Sequence, residues 1–244
     1  TSKKRKHFLK IIKDSEASNG VIFIRDIAVN KLLKNKSPAK KFIEFIGNSV
    51  TCGAASDNSF TLCGSGEYFD QQNVYKAYGP SVAREFNADF MLSSVSGIGI
   101  YRNWNDENIE EPIMPEVYEN LYLNTNSTKP YKFSRKPDIV SICLGTNDLS
   151  NGDGTKTRLP FNKEKYVSNY IDFVSPMIVG ENNELLVSCL KEVQEYFAVN
   201  YEKSILLFEF KKEYINGCNY HPSIQDHKEI SSQLMPLFKS VLNK

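Results

Sequence analysis

Short apolar runs and longer amphipathic stretches take turns along most of the chain, and that alternation predicts strands and helices in sequence. FIEFIG (42–47) is apolar almost throughout and closes on a glycine, the pattern of a buried strand. DFMLSSV (89–95) and DIVSICLG (138–145), the latter after Lys136-Pro137, read the same way, and SILLFEF (204–210) predicts a late strand. Helical patterns cover 74–87, with Pro80 near the start or at a kink, then 163–174, 185–198 and 225–242, the last enclosing Pro236. Strands and helices alternating at this spacing predict an α/β fold with a parallel sheet covered on both faces. One irregularity stands out. The rhythm wants a strand between the helix ending near Phe173 and the Ser175-Pro176-Met177 turn, and there is no room for it. Either that helix is shorter or a segment is missing.

Ahead of this pattern, residues 7–30 hold the apolar runs HFLKII and VIFIRDIAV around Glu16-Ala17-Ser18-Asn19-Gly20, which predict two or three strands. Residues 31–41 are polar and contain a proline, as a linker does. The chain thus divides into a β-strand segment with linker, 1–40, and a larger domain, 41–244.

Bulk properties narrow the function classes. Basic and acidic residues number 30 and 29, so charge gives no reason to expect a nucleic-acid partner. Lys3-Lys4-Arg5-Lys6 reads as a solvated end. No stretch approaches the roughly 18 apolar residues of a membrane span, so no membrane partner is expected. The sequence begins at Thr1 without a visible signal peptide. Its 5 cysteines show neither CxxC nor metal-ligand spacing, and an odd number leaves one unpaired. Cys52 and Cys63 flank a loop and could pair in an oxidising compartment, but scattered free thiols are the preferred reading. No cofactor or metal is called for.

Small polar residues gather where the predicted strands end, which is where open α/β sheets bind ligands. They are Gly47-Asn48-Ser49, Ser96-Gly97-Ile98-Gly99, Gly145-Thr146-Asn147-Asp148 and, after the late strand, Gly217-Cys218-Asn219-Tyr220-His221-Pro222. Each has an ordinary reading alone: Ser49 as a helix cap, Gly97 as a turn glycine, Asn147 as an Asx turn, His221 as a loop histidine. His227 lies inside the final helix and reads as structural, His7 is near the terminus, and Asp148 and Asp226 read as caps or turn formers.

The ordered set Ser, Gly, Asn, His resembles the SGNH (GDSL-like) hydrolases. The blocks "IEFIGNSVTCG", "YKAYGPSVAREFNAD", "SGIGIYRN", "PDIVSICLGTND", "SPMIVG" and "GCNYHPS" are together similar to carbohydrate esterase family 2. The resemblance implies a flavodoxin-like three-layer α/β/α hydrolase with a parallel sheet, preceded by the last strands of a jelly-roll-like domain. It further implies an extracellular or periplasmic enzyme that takes acetyl groups from polysaccharides such as xylan or mannan. Ester hydrolysis then gives the residues their roles: Ser49 as nucleophile, His221 as its base, and the Ser49 N–H, Gly97 N–H and Asn147 amide as oxyanion donors. Tyr101, Arg102 and Trp104 are expected at the mouth of the site, with Trp104 either stacked on a sugar or packed under a loop.

Two departures qualify this. Asn48 stands where the usual block has aspartate, keeping the shape but losing the charge. Cys218 stands three residues before His221, where many such enzymes place an aspartate, so no catalytic acid is assigned. Two other readings stay open: a carbohydrate-binding protein that has lost catalysis, and a lipid or peptidoglycan O-acetyl esterase.

Overall fold

The computed structural model describes residues 7, 9–33, 41–123, 129–174, 178–179, 184–200 and 205–242. One parallel sheet has the order β2-β1-β3-β4, formed by β1 (Phe42–Gly47), β2 (Asp89–Ser94), β3 (Ile139–Cys143) and β4 (Ile178–Val179). The register sets Ile43 beside Phe90 on one side and Ile139 on the other. Seven helices accompany it among the described residues: α1 (Ser49–Cys52), α2 (Tyr78–Glu85), α3 (Met114–Val117), α4 (Thr146–Leu149), α5 (Lys163–Phe173), α6 (Glu184–Asn200) and α7 (Ile224–Leu242).

β1 is apolar nearly throughout because both of its faces are covered. Ile43 and Phe45 pack with Ile139 and Cys143 against Tyr78 and Val82 of α2 and Ile230, Leu234 and Phe238 of α7. Ile46 and Ile142 point the other way, toward Tyr166 and Tyr170 of α5 and Leu190 and Val193 of α6. Fully burying a side chain of this size contributes about 1.5–3 kcal/mol, so these two layers fix the sheet between its helices. Glu44 is the polar exception on β1. It accepts from the Ser93 hydroxyl at 2.7 Å and the Tyr118 phenol at 3.0 Å, and its burial raises the carboxyl pKa.

Several expectations need correction. Residues 9–33 contain no strand, and Val21, Phe23 and Leu32 are exposed. An apolar run becomes a strand only with a ladder partner, and none pairs with this segment among the described residues. The helix expected over 74–87 is split into a 3₁₀ turn, Val74–Lys76, and α2, with Ala77 extended between them. Pro80 lies in the first turn of α2, where a backbone N–H has no helical acceptor to lose. Residues 205–210 form no strand beyond a bridge at Leu207. Their alternation survives: Ile205 and Leu207 face the α5–α6 core, while Leu206, Phe208 and Phe210 face the α7 core. The neighbouring β4 is only 2 residues long and offers little edge to pair with. It follows the Ser175-Pro176-Met177 turn rather than preceding it; that turn lies outside the described residues.

Candidate active site

The carboxyl ends of β1, β2 and β3 converge, and three turns leave them side by side. After β1 the chain turns sharply at Gly47, where a Cβ would come within 2.0 Å of Thr51 Oγ1. Asn48 caps α1 by accepting the Val50 N–H at 3.1 Å, and its amide donates to Thr146 Oγ1 at 2.7 Å. Ser49 is the first residue of α1, so its N–H has no acceptor within the helix.

After β2, Ile98 N–H closes a turn onto Val95 O at 3.3 Å, with Gly97 at φ +82°. That left-handed conformation suits glycine, and the Gly97 N–H has no hydrogen-bond partner among the described residues. Asn147, in α4, donates its amide to Ile98 O at 2.8 Å and so ties this turn to the end of β3. Beneath both, buried Asp148 accepts N–H bonds from Ile100, Tyr101 and Arg102 at 3.0, 2.8 and 3.2 Å. Burial outweighs those bonds and pushes its carboxyl up to about 6.

His221 arrives from far along the chain, held by the loop that follows α1. Cys218 N–H donates to Ala55 O at 2.7 Å, Ile224 N–H to Ser56 O at 3.1 Å, and Ala54 N–H to Ser49 O at 3.0 Å. The serine-bearing and histidine-bearing turns are thus strung on one set of backbone bonds. The His221 Nδ1 lies 2.9 Å from Asn219 O. With Nδ1–H donating there, Nε2 keeps its lone pair. Desolvation lowers the imidazole pKa below its ordinary value, which favours the neutral ring. No hydrogen bond joins Ser49 Oγ to that ring among the described residues; such contacts are often long in free enzymes.

The structure pairs Cys63 with Cys218 in a disulfide and leaves Cys52, Cys143 and Cys189 as buried free thiols. The preferred reading of scattered free thiols is therefore corrected for Cys63 and Cys218, and the alternative pairing of Cys63 with Cys52 does not form, because folding brings the His221 turn, with Cys218, to the loop after α1. Tyr101 and Arg102 do not line the mouth. Arg102 is 1% exposed, with Nε donating to Asp148 O at 2.6 Å and a guanidinium nitrogen 2.9 Å from Glu107. The Tyr101 hydroxyl accepts the Asn162 N–H at 3.0 Å. Both carry the loop on which Trp104 stands, and Trp104 is 45% exposed. Tyr220, beside His221, is 86% exposed at φ +58°. His227 is fully buried and stacks on Tyr78, with neither ring nitrogen hydrogen-bonded among the described residues, and desolvation lowers it to about 4.

One participant gave little sign of itself in the sequence. Glu16 accepts the Ser96 N–H at 2.7 Å, the Ser96 hydroxyl, and the Gln72 amide at 2.8 Å. The Tyr68 hydroxyl lies 3.1 Å from Ser96 Oγ, and its ring meets the His221 ring edge-on with centroids 6.5 Å apart. Its place within an apolar stretch of short runs marks Glu16 only as polar.

In fold the chain is an SGNH hydrolase, with its serine, glycine, asparagine and histidine turns gathered at the carboxyl edge of a flavodoxin-like sheet. No family model matches it. Its relatives in sequence include an acetylxylan esterase and a cellulase/esterase, and its structural neighbours include family two carbohydrate esterases. It is 29% identical over 213 residues to an acetylxylan esterase / glucomannan deacetylase of Cellvibrio japonicus, covering 80% of this chain and 58% of that protein. It is 30% identical over 256 residues to the cellulase/esterase CelE of Acetivibrio thermocellus, covering 97% of this chain and 30% of that protein. The chain thus spans less than two thirds of either relative. A family two carbohydrate esterase from Clostridium thermocellum, solved with cellohexaose, superposes with a TM-score of 0.73 at 26% identity, covering 87% of this chain and 68% of that one.

Proposed function

We propose that the chain is a serine esterase removing O-acetyl groups from a polysaccharide of the xylan or glucomannan type. His221 Nε2 takes the proton of Ser49 Oγ as that oxygen attacks the acetyl carbonyl. The negative oxygen that forms is met by the N–H groups of Ser49 and Gly97 and by the Asn147 amide, each donor typically contributing about 2.7–4 kcal/mol. The His221 imidazolium then protonates the departing sugar oxygen as its bond to the acetyl carbon breaks, leaving an acetyl-Ser49 ester, and a water molecule repeats the sequence to release acetate and restore Ser49. The observation that carries this reading is the backbone weave from Ser49 through Ala54 and Ala55 to Cys218, which sets the His221 turn against the serine turn.

The surroundings support a sugar substrate. Tyr220 and Trp104 present exposed rings close to the catalytic turns, and aromatic faces suit sugar rings. The Cys63–Cys218 disulfide fits an oxidising, extracellular setting. The exposed apolar side chains of Val21, Phe23, Val29 and Leu32 fit a further β-domain covering them.

Hydrolysis of 4-nitrophenyl acetate, butyrate and octanoate tests the proposal. Acetate-selective turnover that falls about a thousandfold or more in Ser49→Ala and His221→Ala is expected. Undiminished activity in Ser49→Ala overturns it, and preference for octanoate indicates a lipid esterase. Asn48 and the missing Ser49–His221 hydrogen bond favour one second reading, carbohydrate binding without turnover. Titration calorimetry with cello- and xylo-oligosaccharides beside the esterase assay separates the two.

A further inference from the structure

The residues immediately before His221 are Cys218, Asn219 and Tyr220, none of them acidic. If His221 takes a proton from Ser49, its Nδ1 faces the Asn219 carbonyl, and no side-chain carboxylate bonds the imidazolium among the described residues. A carboxylate does reach this corner, from a distant part of the chain. Resting on the esterase reading, we propose that Glu16 is a positioning residue of the site: its charge steadies the His221 imidazolium, and its hydrogen bonds hold Ser96 beside the oxyanion turn.

Glu16 sits in a built seat. Its carboxylate accepts from the Ser96 N–H, the Ser96 hydroxyl and the Gln72 amide, while its own N–H donates to Gln72 Oε1 at 3.1 Å. Asn19 donates to that same Gln72 oxygen at 3.1 Å, and Gln72 is buried. One glutamine therefore grips both the backbone and the side chain of Glu16, leaving the carboxylate aimed at Ser96. Ser96 directly precedes Gly97, so holding its backbone N–H and its hydroxyl anchors the residue that leads into the oxyanion turn. Since the Ser96 hydroxyl donates to Glu16, the Tyr68 hydroxyl must donate to Ser96. The Tyr68 ring then lies against His221.

Three titratable groups near this pair are held uncharged near neutral pH. Burial holds the Tyr68 phenol up at about 12, the Cys52 thiol well above its ordinary value, and His227 down at about 4. Lys13, on the Glu16 segment itself, is bonded to Ser15 and to the Glu16 carbonyl. Glu16 is thus the carboxylate placed to act on His221 through this partly desolvated corner, where opposite charge favours the imidazolium. The oxyanion turn then depends on a residue outside the 41–244 hydrolase domain.

The test is Glu16→Gln, which keeps the shape and removes the charge. In 4-nitrophenyl acetate hydrolysis, kcat is expected to fall about tenfold with KM within about twofold, and the acid limb of kcat/KM to move to lower pH. Independently of turnover, His221 is titrated by NMR in a Ser49→Ala background, with and without Glu16→Gln. Its midpoint should drop when the charge is removed, and an unmoved midpoint overturns the proposal even if the esterase reading stands. Conversely, a midpoint that drops in a protein without esterase activity leaves the coupling intact and sinks only the esterase reading. Should Glu16→Gln not fold, Glu16→Asp reads the same coupling: a carboxylate drawn back from His221 lowers the midpoint, and no change overturns the proposal.

Discussion

Asn48 and Thr146 lock the first and third strand ends together, through an amide-to-hydroxyl hydrogen bond of 2.7 Å between residues 98 apart in sequence. The same side chain caps α1, so one buried amide orients both the serine turn and the asparagine turn. Its replacement of the more usual aspartate is accommodated because a hydroxyl can accept as readily as donate. Asn48→Ala strands the Val50 N–H and the Thr146 hydroxyl and should cost about 1–3 kcal/mol, together with a fall in kcat. Asn48→Asp should retain both contacts, with Thr146 reversing its hydroxyl to donate. Denaturant unfolding and acetate-ester kinetics on the two variants check this; equal losses in both would contradict it.

The Cys63–Cys218 bridge spans 155 residues and anchors the turn that carries His221. By the chain-entropy argument a loop this long is worth about 4–5 kcal/mol. The double variant Cys63→Ser/Cys218→Ser should lose about that much stability in urea unfolding, and reduction of the wild type should reproduce the loss. A double variant as stable as wild type would show that the unfolded chain is already compact without the bridge.

Buried His227 makes stability depend on pH, and the sign follows from its depressed pKa. As pH falls below about 6.5 the unfolded chain takes up a proton that the folded chain refuses until about 4. Stability from this residue is therefore complete above pH 6.5 and is lost on the way down to 4, by about 3 kcal/mol. His227→Phe keeps the stacking on Tyr78 and removes two unsatisfied nitrogens. Unfolding free energies of the two proteins should diverge by about that amount between pH 7 and pH 4, in favour of the variant. Parallel pH profiles would reject the account.

Arg102 and Trp104 are near neighbours in sequence with opposite roles. Arg102→Ala removes the donors to Asp148 O, Leu159 O and Glu107, which keeps Arg158 at 3.1 Å, and opens a fully packed loop, so a loss of about 1–3 kcal/mol is expected. Trp104→Ala should leave thermal unfolding nearly unchanged and raise KM for an oligosaccharide ester several-fold while sparing 4-nitrophenyl acetate. Measuring both substrates on both variants distinguishes a packing residue from a substrate platform.

The fold was legible where periodicity is local. β1, β2 and β3 fall within a residue or two of their apolar runs, and α5 and α7 within one residue of their amphipathic ones. It was illegible where a feature depends on a distant partner. VIFIRDIAV carries the pattern of a strand but finds no ladder, and SILLFEF keeps its alternation without one. Within the site, Ser49, Gly97 and Asn147 stand at strand ends as their turn chemistry suggests. Arg102 is misleading because arginine usually signals surface or ligand, whereas here Leu159, Asp148 and Glu107 enclose it from three parts of the chain. Glu16 and the Cys63–Cys218 pair were hidden for the same reason: no spacing rule links positions that meet only through tertiary structure.

The span of that bridge also governs how the molecule is made. A ribosome delivers the chain from its N-terminal end at about 5–20 residues per second, so Cys63 emerges many seconds before Cys218. Cys143 and Cys189 appear in between, each a chemically competent wrong partner until folding buries it. Correct pairing thus requires the α5–α6 layer to close over Cys189 and the sheet over Cys143 before oxidation is complete. Misbridged chains would need thiol–disulfide exchange to recover. Yield of correctly bridged protein should therefore depend on the disulfide isomerase capacity of the compartment in which it is oxidised.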